Sequence, residues 1–166
     1  MEHLWAPWRM TYIRKNKKEE NCFFCDGWQQ GVSQETGVLF RGKSAFVMIN
    51  RFPYNSGHLM VVPARHAPSV NDLSDEEYFA LFRLARLAQS ALDRAFTPSG
   101  YNWGLNLGKA AGAGIVDHLH LHILPRWEGD TNFMPLLAET KVLPEHLEQT
   151  YATLLSHFQQ LPKEGI

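Results

Sequence analysis

The stretch from His118 to Arg126 reads HLHLHILPR, and its alternation of histidine with leucine predicts a β-strand with two chemically different faces. Side chains on a strand point alternately to opposite sides, so His118, His120 and His122 share one face and apolar residues form the other. The apolar face is ordinary core. The imidazoles need partners, water or a ligand, because burying an unpartnered polar group is costly. Three of the eight histidines lie in this row, which indicates a functional site.

Two kinds of chemistry fit this row of imidazoles. Histidines two positions apart on one strand can ligate zinc and leave an open catalytic position. Alternatively, a neutral imidazole can act as a nucleophile or carry protons near neutral pH. The loop from Gly108 to Gly114, GKAAGAG, precedes the strand, and backbone N–H groups in such a loop can approach a phosphate closely. The loop favours the second chemistry, although these residues alone leave both open.

The composition is that of an ordinary globular chain. Its 166 residues suit one domain, and 45% of them are hydrophobic, enough for a substantial core. A formal net charge of −1 provides no global positive field that would recruit nucleic acid. The N-terminus lacks the apolar segment of a signal peptide, and no run approaches the roughly 18 apolar residues of a membrane span. We therefore expect a cytoplasmic protein with neither nucleic acid nor a membrane as a partner.

The hydrophobic pattern predicts an α+β fold with an antiparallel sheet of five strands and one long helix inserted among them. Ser74 to Glu77 form a capping box that begins the long helix, which ends near Phe96. A last helix is predicted over 144–160, and residues 1–20 form an aromatic and basic lead-in to a single domain spanning 1–166. The five strands are predicted at Val38–Phe40, Ala45–Ile49, His58–Pro63, Tyr101–Leu107 and Val116–Leu124.

A second candidate feature is the cysteine pair Cys22 and Cys25 in NCFFCDG. Two cysteines do not make a disulfide framework, and a CxxC in a cytosolic chain is more often half of a metal site or a redox pair. A redox role is the weaker interpretation because no βαβ pattern surrounds the motif. As metal ligands, the two thiolates would fill half of a tetrahedral zinc site and would need two further ligands.

Several of these segments together resemble the histidine triad (HIT) superfamily of nucleotide hydrolases and transferases. HLHLHIL resembles its signature, VMINRFPYNSGHLMVVPARH its strand–loop–strand segment, and NCFFC the cysteine pair of its zinc-containing bacterial members. LWAPWRMTYI and LPRWEGDTNFMP are similar to the diadenosine tetraphosphate phosphorylase branch. The resemblance extends from residue 4 to about residue 160. It implies a HIT-like fold and a homodimer with a continuous sheet.

The resemblance also implies an activity, nucleotidyl transfer from a dinucleoside polyphosphate through a nucleotidyl-histidine intermediate. His120 would attack the α-phosphate, His118 would orient it or hold a metal, and His122 would contact the phosphate and the leaving group. If inorganic phosphate accepts the nucleotidyl group, the protein is a phosphorylase that yields ADP and ATP. If water accepts it, the protein is a hydrolase. A non-catalytic nucleotide-binding protein remains a further alternative.

Nucleotide contacts and zinc ligands follow from the same resemblance. Asn50 matches the ribose-binding position, and Asn106 lies near a position that contacts phosphate. Many relatives carry Ser or Thr where this chain has Ile115, so the backbone N–H groups of the preceding loop would replace that hydroxyl. The loop residues concerned are Gly112, Ala113 and Gly114. The implied ligands of a structural zinc are Cys22, Cys25, His66 and His118.

Overall fold

Five antiparallel strands form one sheet in the computed structural model, which describes residues 22–131 and 145–161. Their spatial order is β1-β2-β3-β5-β4, so the last two strands in sequence exchange places at one side of the sheet. The predicted α+β class and the five-stranded antiparallel sheet are confirmed. The predicted lead-in, residues 1–20, lies outside the described residues. The strands are β1 (Val38–Arg41), β2 (Ala45–Ile49), β3 (Leu59–Pro63), β4 (Gly100–Leu105) and β5 (Leu121–Arg126).

The long helix α2 (Asp75–Phe96) begins and ends where the sequence predicts. The Ser74 hydroxyl accepts a hydrogen bond from the Glu77 N–H at 3.3 Å, and the Glu77 carboxylate accepts one from the Ser74 N–H at 2.9 Å. This reciprocal pair satisfies two of the donors that every helix leaves unpaired at its start. Thr97 adopts a left-handed conformation with φ 43° and ends the helix.

One face of the sheet is covered by α2 and by α3 (Leu147–Gln159). The predicted C-terminal helix is therefore confirmed, with bounds a few residues inside those expected, and Pro144 lies outside the described residues. The Tyr151 hydroxyl donates to the Val38 carbonyl at 2.9 Å and so ties α3 to β1. Within the described ranges, no helix is long and apolar enough to cross a membrane.

The opposite face of the sheet carries a smaller apolar cluster and the helix α1 (Phe23–Gln30), which the sequence analysis missed. Phe24 is the most deeply inserted residue of α1, with a side chain that is 1% exposed. Helix α1 is only eight residues long and contains Gly27, so neither its length nor its helix propensity predicts a helix from the sequence. Packing of Phe24 on the sheet stabilises α1. Its sheet neighbours in this cluster are Val38, Phe46, Met48, Met60 and Val62.

The predicted strand Val116–Leu124 is wrong at both ends, because β5 runs from Leu121 to Arg126. The ladder with β4 continues to the pair Gly100 with Arg126, which extends the strand beyond Leu124. Before Leu121, neither β3 nor β4 offers a paired residue. The chain nevertheless stays extended, and the Leu119 N–H donates to the Ala67 carbonyl at 2.7 Å.

The predicted alternation therefore survives the shift of the strand. Below, the helix face means Leu119, Leu121 and Ile123, which are all buried in the core beneath α2 and α3. The histidine face means His118, His120 and His122, whose exposed fractions are only 1%, 7% and 6%. The three imidazoles are thus buried beside α1 and the connecting loops, where each must find hydrogen-bonding partners within the protein or in a ligand.

Candidate active site and metal centre

His118 is turned away from the centre of the histidine row and towards the cysteines. Its Nε2 lies 2.9 Å from the Pro63 carbonyl oxygen, which can only accept, so Nε2 carries the proton and donates. Its Nδ1 therefore holds a lone pair, 3.3 Å from Cys22 Sγ and 3.7 Å from Cys25 Sγ. Burial, and secondarily the neighbouring His66 and His120, lower the pKa of His118 to about 4. A neutral imidazole with this tautomer has the orientation and the free lone pair that a metal ligand requires.

His120 has the opposite tautomer. Its Nδ1 lies 2.9 Å from the carbonyl oxygen of His118, so Nδ1 donates and Nε2 keeps the lone pair. Burial lowers the pKa of His120, while the hydrogen bond to the His118 carbonyl opposes that effect. The Phe24 ring packs against the imidazole with the two ring centres 5.0 Å apart. His120 is thereby held neutral and oriented, with an unprotonated Nε2, which is the state a nucleophilic imidazole requires.

His122 bonds to a fourth buried histidine, His58, which is 0% exposed. His58 Nδ1 accepts from the Tyr54 N–H at 3.1 Å, and the Asn50 amide nitrogen lies 3.3 Å from the same atom. His58 Nε2 therefore carries the proton and donates it to His122 Nδ1 at 2.9 Å. Consequently, His122 in its neutral form carries its proton on Nε2. His122 can donate this proton to an anionic ligand.

Asn50 and Asn106 both contact this pair of histidines. Asn50 Oδ1 accepts from the Phe52 N–H at 2.9 Å, so its side chain caps the loop that follows β2 while its amide nitrogen lies beside His58. The Asn106 amide nitrogen lies 3.4 Å from His122 Nε2. Because His122 Nε2 carries a proton, the favourable arrangement is the flipped amide, in which Oδ1 takes the place of that nitrogen and accepts the hydrogen bond. The ribose and phosphate roles of these two residues stay predictions.

The loop before the triad uses two of its three expected N–H groups internally. The Gly112 N–H donates to the Lys109 carbonyl at 3.0 Å, and the Ala113 N–H donates to the Gly108 carbonyl at 3.3 Å. Gly108 and Gly112 both have positive φ, 79° and 84°, and so allow the tight turn between them. Of the three N–H groups predicted to bind phosphate, that of Gly114 is therefore the strongest candidate, and the other two would have to exchange a loop bond for a ligand bond.

The four predicted zinc ligands converge. The ligand atoms of Cys22, Cys25, His66 and His118 all lie within 4.8 Å of one another, and His66 Nδ1 is 3.4 Å from Cys25 Sγ. Tetrahedral zinc with ordinary Zn–S and Zn–N bonds places sulfur and nitrogen about 3.5 Å apart. The sulfur–nitrogen distances of 3.3 to 3.7 Å therefore fit such an ion. Because all four positions would be filled by protein atoms, the site suits a structural metal.

Burial raises the pKa of the Cys25 thiol to about 11, and the adjacent Cys22 contributes in the same direction. Two thiols whose sulfur atoms lie within 4.8 Å of each other resist ionising together when no cation compensates their charge. A divalent cation reverses that balance and deprotonates a thiol that binds it. The pair is thus poised for a metal and poorly suited to act as a free thiolate nucleophile.

His58 is the site residue that sequence reasoning missed. The notable signal was its position in GHLMVVP, at the start of a strand that pairs with the histidine strand. Register decides the contact: Met60 lies opposite His122, so His58 falls beyond the end of the ladder and turns its ring back onto His122. Composition and spacing alone carry no information about this cross-strand register.

The chain is similar to one known protein family and to several known proteins. The family model "HIT domain" matches residues 32–129. The chain is 36% identical to the AP-4-A phosphorylase of Mycobacterium tuberculosis over 98% of this chain and 87% of that protein. It is 32% identical to the asymmetrical bis(5'-nucleosyl)-tetraphosphatase of Schizosaccharomyces pombe, over 72% of this chain and 62% of that protein.

Among solved structures, a zinc-bound histidine triad family protein from Mycobacterium smegmatis superposes with a TM-score of 0.67. It is 22% identical and covers 84% of this chain and 94% of its own. At this level of identity the likeness concerns the fold.

Proposed function

The chain belongs to the HIT family, and from that premise we propose that it transfers a nucleotidyl group from a dinucleoside polyphosphate through a nucleotidyl-histidine intermediate. The proposed substrate is diadenosine tetraphosphate and the proposed acceptor is inorganic phosphate, which makes the protein a phosphorylase. Relatives with the printed names AP-4-A phosphorylase and bis(5'-nucleosyl)-tetraphosphatase support a dinucleoside polyphosphate as substrate. The relative that matches nearly the whole chain supports phosphate as the acceptor.

The observation that carries the proposal is the division of tautomers along the histidine face. His118 presents a lone pair to the cysteines, His120 presents a lone pair on Nε2, and His122 presents a proton on Nε2. Binding alone does not require one unprotonated and one protonated nitrogen side by side. Transfer of a nucleotidyl group requires both. An unprotonated nitrogen must attack the phosphorus, and a proton donor must stabilise the negative charge that develops on the leaving oxygen.

In the proposed first step, His120 Nε2 attacks the α-phosphorus and forms a nitrogen–phosphorus bond. The bond from that phosphorus to the bridging oxygen breaks, and ATP leaves with the bonding electrons. The proton on His122 Nε2 stabilises the leaving oxygen. In the second step, an oxygen of inorganic phosphate attacks the same phosphorus, the bond to His120 breaks, and ADP is formed. Asn50 would contact the ribose, while Asn106 and the N–H groups of Gly112, Ala113 and Gly114 would contact the phosphates.

A structural zinc would be held by Cys22, Cys25, His66 and His118. With four protein ligands it would supply orientation and stability and would offer no open position to substrate. The chain's own residues determine what this orientation does. The backbone carbonyl of His118 also accepts a hydrogen bond from His120 Nδ1. Holding His118 in position therefore maintains the tautomer of the proposed nucleophile. Reduced cysteines in such a site are compatible with the cytoplasm, the compartment that we propose.

We further propose a homodimer. Among the described strands, β4 pairs on one side only, with β5, and its middle residues Asn102, Trp103 and Gly104 are exposed. An exposed edge strand is a template for pairing with another chain, and two copies paired there would join their sheets. Trp103 is 38% exposed, and such an aromatic side chain is typical of the centre of an interface.

Product analysis with diadenosine tetraphosphate tests the function. We expect ADP and ATP in the presence of phosphate, and a labelled adenylyl group trapped on the protein when phosphate is left out. The His120→Ala variant should trap no label, and label persisting there would overturn the mechanism. AMP and ATP in equal amounts, whether or not phosphate is present, would instead establish the hydrolase that the S. pombe relative suggests. Absence of turnover with every nucleotide tested would favour a binding protein.

A further inference from the structure

The carboxylate of Asp130 lies at the end of the turn after β5 and accepts five hydrogen bonds. Oδ2 accepts from Arg126 Nε at 2.6 Å, Asn55 Nδ2 at 2.8 Å and the Trp127 N–H at 3.2 Å. Oδ1 accepts from Arg126 Nη2 at 2.7 Å and the Thr131 hydroxyl at 3.2 Å. The Arg126 guanidinium holds the pKa of Asp130 well below its usual range. Asp130 is therefore an anion with a fixed position.

Asn55 connects this carboxylate to the loop between β2 and β3. Its side chain is buried, and its amide nitrogen donates to Asp130 Oδ2 at 2.8 Å and to the Pro125 carbonyl at 3.1 Å. The two N–H bonds of the Asn55 amide thus each meet an acceptor oxygen, which defines the orientation of the amide. The backbone carbonyl of Asn55 accepts from the His58 N–H at 3.2 Å. The loop is consequently bound at Asn55 to the end of the strand that carries His122.

The residue before Asn55 supplies the shorter of two N–H contacts to His58 Nδ1, at 3.1 Å against 3.3 Å for the Asn50 amide nitrogen. The Tyr54 N–H donates to His58 Nδ1, and the Tyr54 ring centre lies 4.7 Å from that of His58 and 5.8 Å from that of His122. If Asn55 moved, the Tyr54 N–H would move with it, and His58 could take its proton on Nδ1 instead. His58 Nε2 would then accept, and His122 would have to place its proton on Nδ1, away from the ligand side.

We infer that Asp130 is a positioning residue for His122, acting through Asn55, the Tyr54 N–H and His58. This inference rests on the proposed function for its kinetic consequence, since the protonated Nε2 of His122 is the group proposed to face the leaving phosphate. Asp130→Asn is the direct test, because an amide keeps the volume but replaces one acceptor oxygen with an NH2 donor. That donor faces an N–H of Arg126 in either orientation and also the Asn55 amide when it takes the place of Oδ2. If His122 no longer carries its proton on Nε2, kcat should fall more than the affinity for the substrate.

The kinetic experiment compares Asp130→Asn with Glu77→Gln, a second arginine-paired carboxylate remote from the triad. We expect Asp130→Asn to lower kcat for diadenosine tetraphosphate by about tenfold with KM changed less than about twofold, and Glu77→Gln to leave both unchanged. In a His58→Gln background, Asp130→Asn should cost less than about twofold, because the group through which it acts is already missing. An equal loss in both backgrounds would overturn the inference and indicate a general structural role.

A second readout does not depend on turnover. Imidazole nitrogen chemical shifts measured by NMR should show wild-type His58 with its proton on Nε2, and Asp130→Asn should show a mixture of both tautomers. An unchanged His58 tautomer in Asp130→Asn would overturn the inference. If Asp130→Asn does not fold, Asn55→Ala removes the same link and leaves the Arg126–Asp130 pair intact. Wild-type protein inert towards the substrate would refute the proposed function, while these shifts would still decide the role of Asp130.

Discussion

The helix face and the histidine face belong to the same six residues, yet they are organised by different forces. Leu119, Leu121 and Ile123 are buried by two helices, and any close-packed apolar neighbour satisfies them. The imidazoles opposite are almost as deeply buried, but each needs particular atoms at particular distances, such as the Pro63 carbonyl for His118. The helix face therefore contributes stability, and the histidine face depends on directional bonds for its chemistry.

This difference has a practical consequence. Substitutions on the helix face should lower stability and leave the folded protein active. Substitutions on the histidine face should abolish activity and leave stability nearly unchanged. The four proposed zinc ligands lie between the two groups, because a bound metal would join Cys22 and Cys25 to His66 and His118. The following predictions test this separation, from the largest expected effect to the smallest.

Replacing the proposed nucleophile should reduce activity and leave stability unchanged. His120→Gln keeps most of the side-chain volume but removes the nucleophilic nitrogen, and kcat/KM should fall by about 10⁴-fold or more. The melting temperature should change by less than about 3 °C, because the buried surface is retained. Steady-state kinetics and calorimetry on the same preparation measure both. A variant that keeps a tenth of the activity would contradict the role of His120.

Replacing two of the proposed metal ligands should lower the stability of the fold and, as a consequence, the activity. Cys22→Ser with Cys25→Ser should abolish zinc binding, measured by elemental analysis, and lower the melting temperature by roughly 10 °C or more. Wild-type protein treated with a strong chelator should move in the same direction and recover when zinc is added. Native protein that contains no zinc and whose melting temperature is unchanged by the chelator would contradict the proposed metal site.

Truncation on the helix face should produce the opposite result to His120→Gln. Ile123 is 0% exposed, so Ile123→Ala should cost about 3 kcal/mol of unfolding free energy through lost burial and a cavity. Below its lowered melting temperature, kcat should remain within about threefold of wild type. Urea unfolding and kinetics measure the two effects, and Ile123→Val serves as a milder control that should cost about 1 kcal/mol. A large loss of kcat without loss of stability would show that the two faces are coupled.

The smallest effect concerns the ion pair between Arg65, which precedes His66, and Glu77 at the start of α2. Hydrogen bonds from Arg65 and from the Ser74 N–H lower the pKa of Glu77 from 4.5 to about 2. A carboxylate with a lowered pKa contributes stability above about pH 4.5, and this contribution is lost as the pH falls towards about 2. The Arg65 side chain is 52% exposed, so water screens the pair and we expect its contribution to stability to be the smallest of those considered.

Urea unfolding at several pH values tests this contribution. The difference in stability between wild type and Glu77→Gln should be greatest at neutral pH and should shrink between about pH 4.5 and 2. A difference that stays constant across this range would assign the effect of Glu77 to its helix cap rather than to its charge.

Local signals in the sequence predicted the elements that depend on local physics. The capping box at Ser74 begins α2 in the structure because the bonds that define it join residues three apart. The alternation in HLHLHIL placed leucines and histidines on opposite faces because the period of an extended chain is two. The bounds of β5 were predicted wrongly since they depend on where β3 and β4 end. Helix α1 was missed because its stability comes from the insertion of Phe24.

By itself, therefore, the sequence determined the fold class, the row of imidazoles and, through its resemblance to a known family, the residues expected at the metal and nucleotide sites. Only the tertiary structure decided which nitrogen of each histidine carries the proton. That choice belongs to atoms far away in the chain, the Pro63 carbonyl for His118 and His58 for His122. A tautomer is set by the partner across the bond, and register and loop packing bring that partner into place.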